Sequence, residues 1–344
     1  CLDRIITYAQ ENVNVNVRVK RNITLEFPAI TICNKNPFNL TAALEIAVKH
    51  GLLPANANED KCWYKRNIQC AEVGFWRKVH TVLGPCHTFT LYKSSINTVG
   101  SFASLYMRLQ DLTPPGPKSE TGVFILLHHF QASPVLTMRT HSLSAELGWA
   151  RDIKVELRKF QTLDTATSPC MRDGNYSQDR CNLECFQYGL NEYSKCRMPF
   201  MIKEPGGKEC ISAGEYEAGM NSVTEMLQTS GWTVADCDCT NECTKTTFQA
   251  YPNNMAYLTN QTRLRFFYSD LVYEDITEDW AYSTISLLCD IGGTLGLLMG
   301  ASVLTVCELL EVGWSYFLQR CCRLELPSIT QDDCTIDPDM QKAL

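Results

Sequence analysis

A chain of 344 residues, 45% hydrophobic and 20% charged, can bury a substantial core as one large domain or two modest ones, which excludes a disordered or low-complexity protein. Its net charge of -7 and the lack of any long Lys/Arg run exclude nucleic acid as a partner, because such binding rests on neutralising phosphates. Eighteen cysteines, twelve of them between Cys33 and Cys243, exceed ordinary cytosolic usage; with the Asn-x-Ser/Thr sequons at Asn22, Asn39, Asn175 and Asn260 they indicate a disulfide-bonded, glycosylated extracellular body.

The chain opens at Cys1 without a charged stretch and apolar run of the leader type, and reads as a fragment. Residues 1–10, from Cys1-Leu2-Asp3-Arg4-Ile5-Ile6-Thr7-Tyr8, are taken as the outer end of a first membrane helix, which would leave both termini of the intact protein cytoplasmic. From Val13 to Val19, Val alternates with Asn or Arg, a period-two pattern that predicts a strand with one buried face. That strand continues through Ile23-Thr24-Leu25-Glu26 into Phe27-Pro28-Ala29-Ile30-Thr31-Ile32-Cys33-Asn34. A helix is predicted over 42–50, strands over 87–91, 122–127 and 153–157, a Pro-containing loop over 111–121 and a second helix over 214–228.

Near the C-terminus the only charged residue from Trp280 to Cys307 is Asp290. The uncharged run Ile291 to Cys307 would be roughly 25 Å long as a helix, and Trp280 to Cys289 extends it to a bilayer crossing. Gly292, Gly296 and Gly300 recur every four residues on one stripe, where another helix can approach the backbone. Asp290 and Glu308 fall on one face about five turns apart, with Thr294, Leu297, Ala301 and Thr305 near it and Glu311 about 60° away. Carboxylates at both ends of a membrane helix are costly unless they line water or meet a partner; in a symmetric oligomer they would form cation-attracting rings. Arg320 and Arg323 mark the cytoplasmic side, with Cys321 and Cys322 between them as palmitoylation sites or plain thiols.

Two stretches resemble a known family. Phe27 to Asn34 is similar to the signature that follows the first membrane helix in degenerin/epithelial sodium channel subunits. The run Cys289-Asp290-Ile291-Gly292-Gly293-Thr294-Leu295-Gly296-Leu297-Leu298-Met299-Gly300-Ala301-Ser302 resembles their second membrane helix, with its Gly-Ala-Ser selectivity motif. The resemblance implies an α+β membrane protein: a clenched-hand ectodomain with a β-sheet palm, a disulfide-rich helical thumb, and finger and knuckle helices, over two transmembrane helices, three subunits surrounding a pore. It divides the chain into 1–10, the truncated first helix; 11–279, the extracellular domain with a thumb at about 170–243; 280–318, the pore-lining helix; and 319–344, a cytoplasmic tail.

What the resemblance implies for the site is equally specific. Gly300, Ala301 and Ser302 form the selectivity filter; Asp290, Thr294, Leu297, Glu308 and Glu311 line the pore; Cys289 holds the degenerin position, where a small side chain permits closure. Disulfides are implied for Cys33-Cys86, Cys62-Cys70, Cys170-Cys243, Cys181-Cys239, Cys185-Cys237 and Cys196-Cys210, while one further thumb bridge of the family has neither cysteine here, Lys195 standing at one end. The spacing of Cys181, Cys185, Cys237, Cys239 and Cys243 could otherwise be read as zinc ligation, which the compartment disfavours. No cofactor or metal is expected. Partners are sodium ions, like or related subunits, the lipid bilayer, and an extracellular peptide or proton as ligand, with amiloride as a blocker.

Acid-gated members carry a histidine and paired carboxylates on the first strand, where this chain has Asn12, Arg18 and Lys20, and an aromatic and prolines where this chain has only Pro169 in Thr165-Ala166-Thr167-Ser168-Pro169. A peptide-gated or constitutively open channel is therefore favoured over acid-sensing or mechanosensitive relatives. His128-His129 reads as packed or solvated, and Glu215, Glu217 and Glu225 as a solvated helical face. A single-pass adhesion or receptor ectodomain would explain the sequons and disulfides but not the acids on a glycine-striped helix. No nucleophile setting supports an enzyme.

Overall fold

Alternation of apolar and polar side chains determines the centre of the fold. In the strand Trp149–Gln161, Ile153, Val155 and Leu157 are buried while Lys154 and Glu156 are exposed, so each apolar side chain contributes about 1.5–3 kcal/mol of burial from one face. The structure, a computed structural model, describes residues 2–35, 62–110, 122–191, 194, 196–203, 208–228, 232–258, 261–299 and 303–324. The predicted helix over 42–50 and loop over 111–121 lie outside the described residues. Two compact units divide the chain, one of residues 13–280 and one of residues 1–12 with 281–344.

In the larger unit, Trp149–Gln161 pairs antiparallel along its length with Thr244–Tyr257. Its other edge is shared: Ala150–Val155 pair in parallel with the strand Gln261–Tyr268, and Arg158–Gln161 with the strand Val272–Trp280. The eight-stranded sheet then extends one way to Leu105–Gln110, Cys62–Tyr64 and Ile68–Gln69, and the other way to Val13–Arg21. A second, five-stranded antiparallel sheet orders Leu143–Ala145, Val123–His128, Ala29–Asn34, Gly84–Leu91 and Gly74–Thr81. Side chains from both sheets, among them Ile30, Phe89, Ile125, Ile153, Leu264 and Phe266, form one buried cluster.

Two readings from alternation change in three dimensions. The strand Val13–Arg21 forms, yet the face that alternation predicts as buried is open: Val15, Val17 and Val19 are 58%, 62% and 71% exposed. Among the described residues it is an edge strand, paired only with Val272–Trp280, and alternation can specify a strand without supplying the layer that would cover it. Nor does it continue unbroken. The chain leaves the sheet at Asn22, and Leu25–Glu26 pairs instead with Ser95–Ile96.

A helical lobe packs its own core. The helices Gln178–Asn191 and Ala213–Gln228 enclose Leu183, Phe186, Leu190, Met198, Val223 and Met226. Close approach is permitted by glycines: Gly189 accommodates the Met226 methyl, and Gly219 the Met198 sulfur. The lobe is stapled by Cys181–Cys239, Cys185–Cys237 and Cys196–Cys210 and closed at its base by Cys170–Cys243, while Cys33–Cys86 joins two neighbouring strands of the five-stranded sheet and Cys62–Cys70 links the strand Cys62–Tyr64 to the short helix Cys70–Val73. These six bridges are the pairs implied by the resemblance, and their thiols are unavailable as zinc ligands.

Candidate pore-lining site

The smaller unit carries the residues on which conduction would depend. Ser283 caps the helix Thr284–Met299, its Oγ accepting the Ser286 N–H at 3.2 Å. The short helix Leu2–Ala9 lies beside it, with Tyr8 Oη 3.1 Å from Thr284 Oγ1 and the Ala281 N–H donating to the Asn12 carbonyl at 2.8 Å. At the centre is Asp290. Its Oδ2 accepts the Tyr282 hydroxyl at 2.6 Å and lies 3.5 Å from Arg4 Nε, so a carboxylate on an otherwise apolar helix meets both a hydroxyl and a cation. Thr294 turns its hydroxyl back to the Asp290 carbonyl at 2.5 Å, the bond by which a mid-helix Thr satisfies its own polar group.

A helix is also described over Val303–Leu324, with Glu308 and Glu311 exposed. Gly300, Ala301 and Ser302 lie outside the described residues. Among the described residues no helix is long and apolar enough to cross a membrane. Thr284–Met299 has 16 residues, and the longer helix is interrupted by Glu308, Glu311, Arg320 and Arg323.

The match that decides the family extends over both units. Residues 59–312 match the family described as Amiloride-sensitive sodium channel. The chain belongs to that family. Degenerin mec-4 of Caenorhabditis briggsae is 26% identical over 293 residues, covering 72% of this chain and 37% of its own length. Acid-sensing ion channel 4-B of Danio rerio is 24% identical over 377 aligned positions, covering 89% and 66%. Acid-sensing ion channel 1 of Gallus gallus is 28% identical over 166 residues, covering 43% and 31%. The chain thus spans from about a third to two thirds of the length of these curated relatives. A cryo-EM structure of a proton-activated chloride channel aligns over 92% of each chain at 8% identity with a TM-score of 0.38, too loose a likeness to bear on fold or ion.

Within this sodium channel family chain, Asp290 and Thr294 adjoin, Leu297 is exposed, and Cys289 is an exposed free thiol. Arg4 and Tyr282 escaped the sequence reading, although an arginine in an apolar terminal stub is the natural counter-ion for a lone acid on a neighbouring apolar helix. Of the acids on the helical lobe, Glu217 and Glu225 are exposed. Glu215 is a capping residue: Ser212 Oγ accepts its N–H, and its carboxylate accepts the Ile211 and Ser212 N–H groups and the Lys208 ammonium. Lys208 foremost, then these backbone donors, hold that carboxyl down at about 2.

On the first strand, Lys20 Nζ lies 2.5 Å from the buried Asp275 carboxylate, which raises the lysine pKa. His128 is packed rather than solvated, with its Nε2 2.8 Å from Thr31 Oγ1. The sequon residues Asn22 and Asn175 are exposed, while Asn39 and Asn260 lie outside the described residues.

Proposed function

We propose that the chain is one subunit of a trimeric, sodium-selective, amiloride-sensitive channel of the plasma membrane, opened from the extracellular side. The observation that carries this reading is the extent of the family match, which runs from residue 59 through sheets and stapled lobe and ends at residue 312, inside the helix after the Gly-Ala-Ser motif. Residues 1–10 and 280–318 are then the outer end of the first membrane helix and the pore-lining second one, 11–279 the extracellular hand with its thumb at about 170–243, and 319–344 a cytoplasmic tail. Leu304, Leu309, Leu310 and Phe317, all exposed in the isolated chain, would meet lipid or the neighbouring subunits.

In this reading Asp290, Thr294, Leu297, Glu308 and Glu311 line the pore, and three copies of each acid concentrate cations at its mouths. Gly300, Ala301 and Ser302 form the constriction, where backbone carbonyls and the Ser302 hydroxyl replace the water around sodium. Glycans occupy Asn22, Asn39, Asn175 and Asn260. The stimulus is a peptide, or the channel is constitutively open. A proton is disfavoured because the first strand presents Arg18 and an ion-paired Lys20 rather than paired carboxylates.

The test is current through the full-length subunit in oocytes, with reversal potentials in sodium and potassium solutions and amiloride block. Ser302→Ala and Gly300→Ala should lower the sodium-to-potassium permeability ratio. A wild-type current that ignores amiloride and does not distinguish the two ions would overturn the reading. So would an unchanged ratio in both variants at normal surface abundance.

A further inference from the structure

A cavity of about 850 Å³ opens in the larger unit where the segment Met171–Asp179 meets the ends of the strands Trp149–Gln161 and Val272–Trp280. That volume lies within the range of pockets that hold small molecules. Its charged groups are unevenly satisfied. The side chains of Arg18, from the first strand, and Arg172, from the segment Met171–Asp179, have no hydrogen-bond or ion-pair partner among the described residues. Glu242 and Glu278 are already oriented by the backbone N–H groups of Gln178 and Leu163, each at 2.9 Å, and each keeps one oxygen without a donor among the described residues.

Asp179 is the odd member. Half-buried in the wall, its carboxylate has no hydrogen-bond or ion-pair partner among the described residues, and burial pushes its pKa up, with Lys245 nearby acting the other way. Asp179 and Lys245 also line a second hollow of about 390 Å³, whose lining includes Leu127, Leu143, Phe248 and Tyr251. A simple anion in the first chamber would be repelled by its acids, and a simple cation would leave both arginines unpaired. An occupant carrying both charges and an apolar side chain would satisfy all three surroundings.

We propose that these adjoining hollows bind a short extracellular peptide, its carboxylate between Arg18 and Arg172, its basic group against Asp179 and Glu242, and an apolar side chain beside Phe248 and Tyr251. Planar guanidiniums suit a carboxylate because each offers a fork of N–H donors. The peptide would bridge the segment Met171–Asp179 to the strand Val272–Trp280, which runs directly into Ala281. Its role as a stimulus rests on the channel reading; its binding does not.

The experiment is binding by microscale thermophoresis to the purified full-length protein in lipid nanodiscs. The probes are fluorescent tripeptides with one Lys or Arg, one Phe or Leu and a free C-terminal carboxylate; the comparison probes are their C-terminal amides and versions with the basic residue replaced by Gln. Saturable binding is expected for members of the first set, weakened about tenfold or more by amidation, by Arg172→Gln and by Arg18→Gln, as loss of a charge-assisted bond predicts. Both variants alter exposed side chains, and an unchanged melting temperature would exclude misfolding as the cause. If none of the tripeptides binds more tightly than its amide, or if both arginine variants bind as wild type does, the site is refuted. Current is recorded separately on the same protein: sodium current without binding refutes this site alone, and binding without current refutes only the channel reading.

Discussion

Asp290 and Arg4, far apart in sequence, form an ion pair at 3.5 Å between two helices, with the Tyr282 hydroxyl on the same carboxylate oxygen. A carboxylate held in this way is less available to a passing cation than one facing water alone, so the pair should favour one state of the pore. Arg4→Gln and Asp290→Asn are each expected to shift the open fraction, and together by less than the sum. Both side chains are about half exposed, which keeps the coupling within roughly 1 kcal/mol. A double-mutant cycle on open probability measures it, and strictly additive effects would mean that the pair does not bear on gating.

A buried polar chain crosses the five-stranded sheet. Thr31 Oγ1 lies 2.7 Å from Thr88 Oγ1 and 2.8 Å from His128 Nε2, and His128 Nδ1 donates to the His129 carbonyl at 2.8 Å, the pattern of a neutral imidazole. Burial holds His128 down at about 4, and burial with Lys78 does the same for His87. An unfolded chain would protonate both near 6.5. The stability they contribute is therefore complete above that value and is lost as the pH falls toward 4. For His128 the loss between pH 7 and 4.5 should be on the order of 2 kcal/mol. Thermal melts across that range should fall more steeply for wild type than for His128→Gln; parallel profiles would assign the acid sensitivity elsewhere.

Two glycines that look alike in sequence should respond differently to alanine. Gly122 has φ +124°, and an added Cβ would lie 2.2 Å from the Ala145 carbonyl oxygen and 2.9 Å from the Glu146 Cα, both backbone atoms that cannot yield without moving the strand. Gly122→Ala should cost about 3 kcal/mol or more, or abolish surface expression. At Gly189 the added methyl would meet only the end of the Met226 side chain, at 2.7 Å. A small rotation of Met226 relieves that contact, and alanine gains about 1 kcal/mol of helix propensity, so Gly189→Ala should fall within about 1 kcal/mol of wild type. Denaturant melts of the two variants decide the matter, and equal losses would contradict the packing described at both sites.

Legibility followed how local the determining physics was. Ile153, Val155 and Leu157 announce their strand because alternation and burial coincide there, and the helix read over 214–228 begins one residue earlier, at Ala213. The valines from Val13 to Val19 announced a strand but misled about burial, since exposure depends on what lies over an edge. The helix Gln178–Asn191 went unread, because its hydrophobic stripe is thin and two of its buried positions are Asn182 and Gln187. In the candidate pore, Asp290 stood out as a lone acid on an apolar run. Arg4 did not, because its pairing with Asp290 joins residues far apart in sequence, and Tyr282 did not, because it lies before the helix, eight residues from Asp290, where helical periodicity gives no guide to its position.

Cys289 offers the most direct functional test. It is an exposed free thiol immediately before Asp290, and by family resemblance it stands where a bulky side chain prevents three helices from closing. A cysteine is small enough to permit closure, so the unmodified channel should gate normally. A polar methanethiosulfonate reagent applied from outside should attach a charged group there by disulfide exchange, provided water reaches the thiol. The modified pore should then be held open, with a large, sustained, amiloride-sensitive sodium current. Cys307 is also exposed and free, so the measurement belongs in a Cys307→Ser background. Cys289→Ser should abolish the response while leaving gating intact, because serine is no larger than cysteine and does not react. If mass spectrometry finds the label on Cys289 after exposure during opening, and the current is unchanged, then this turn of the helix is not what closes the pore.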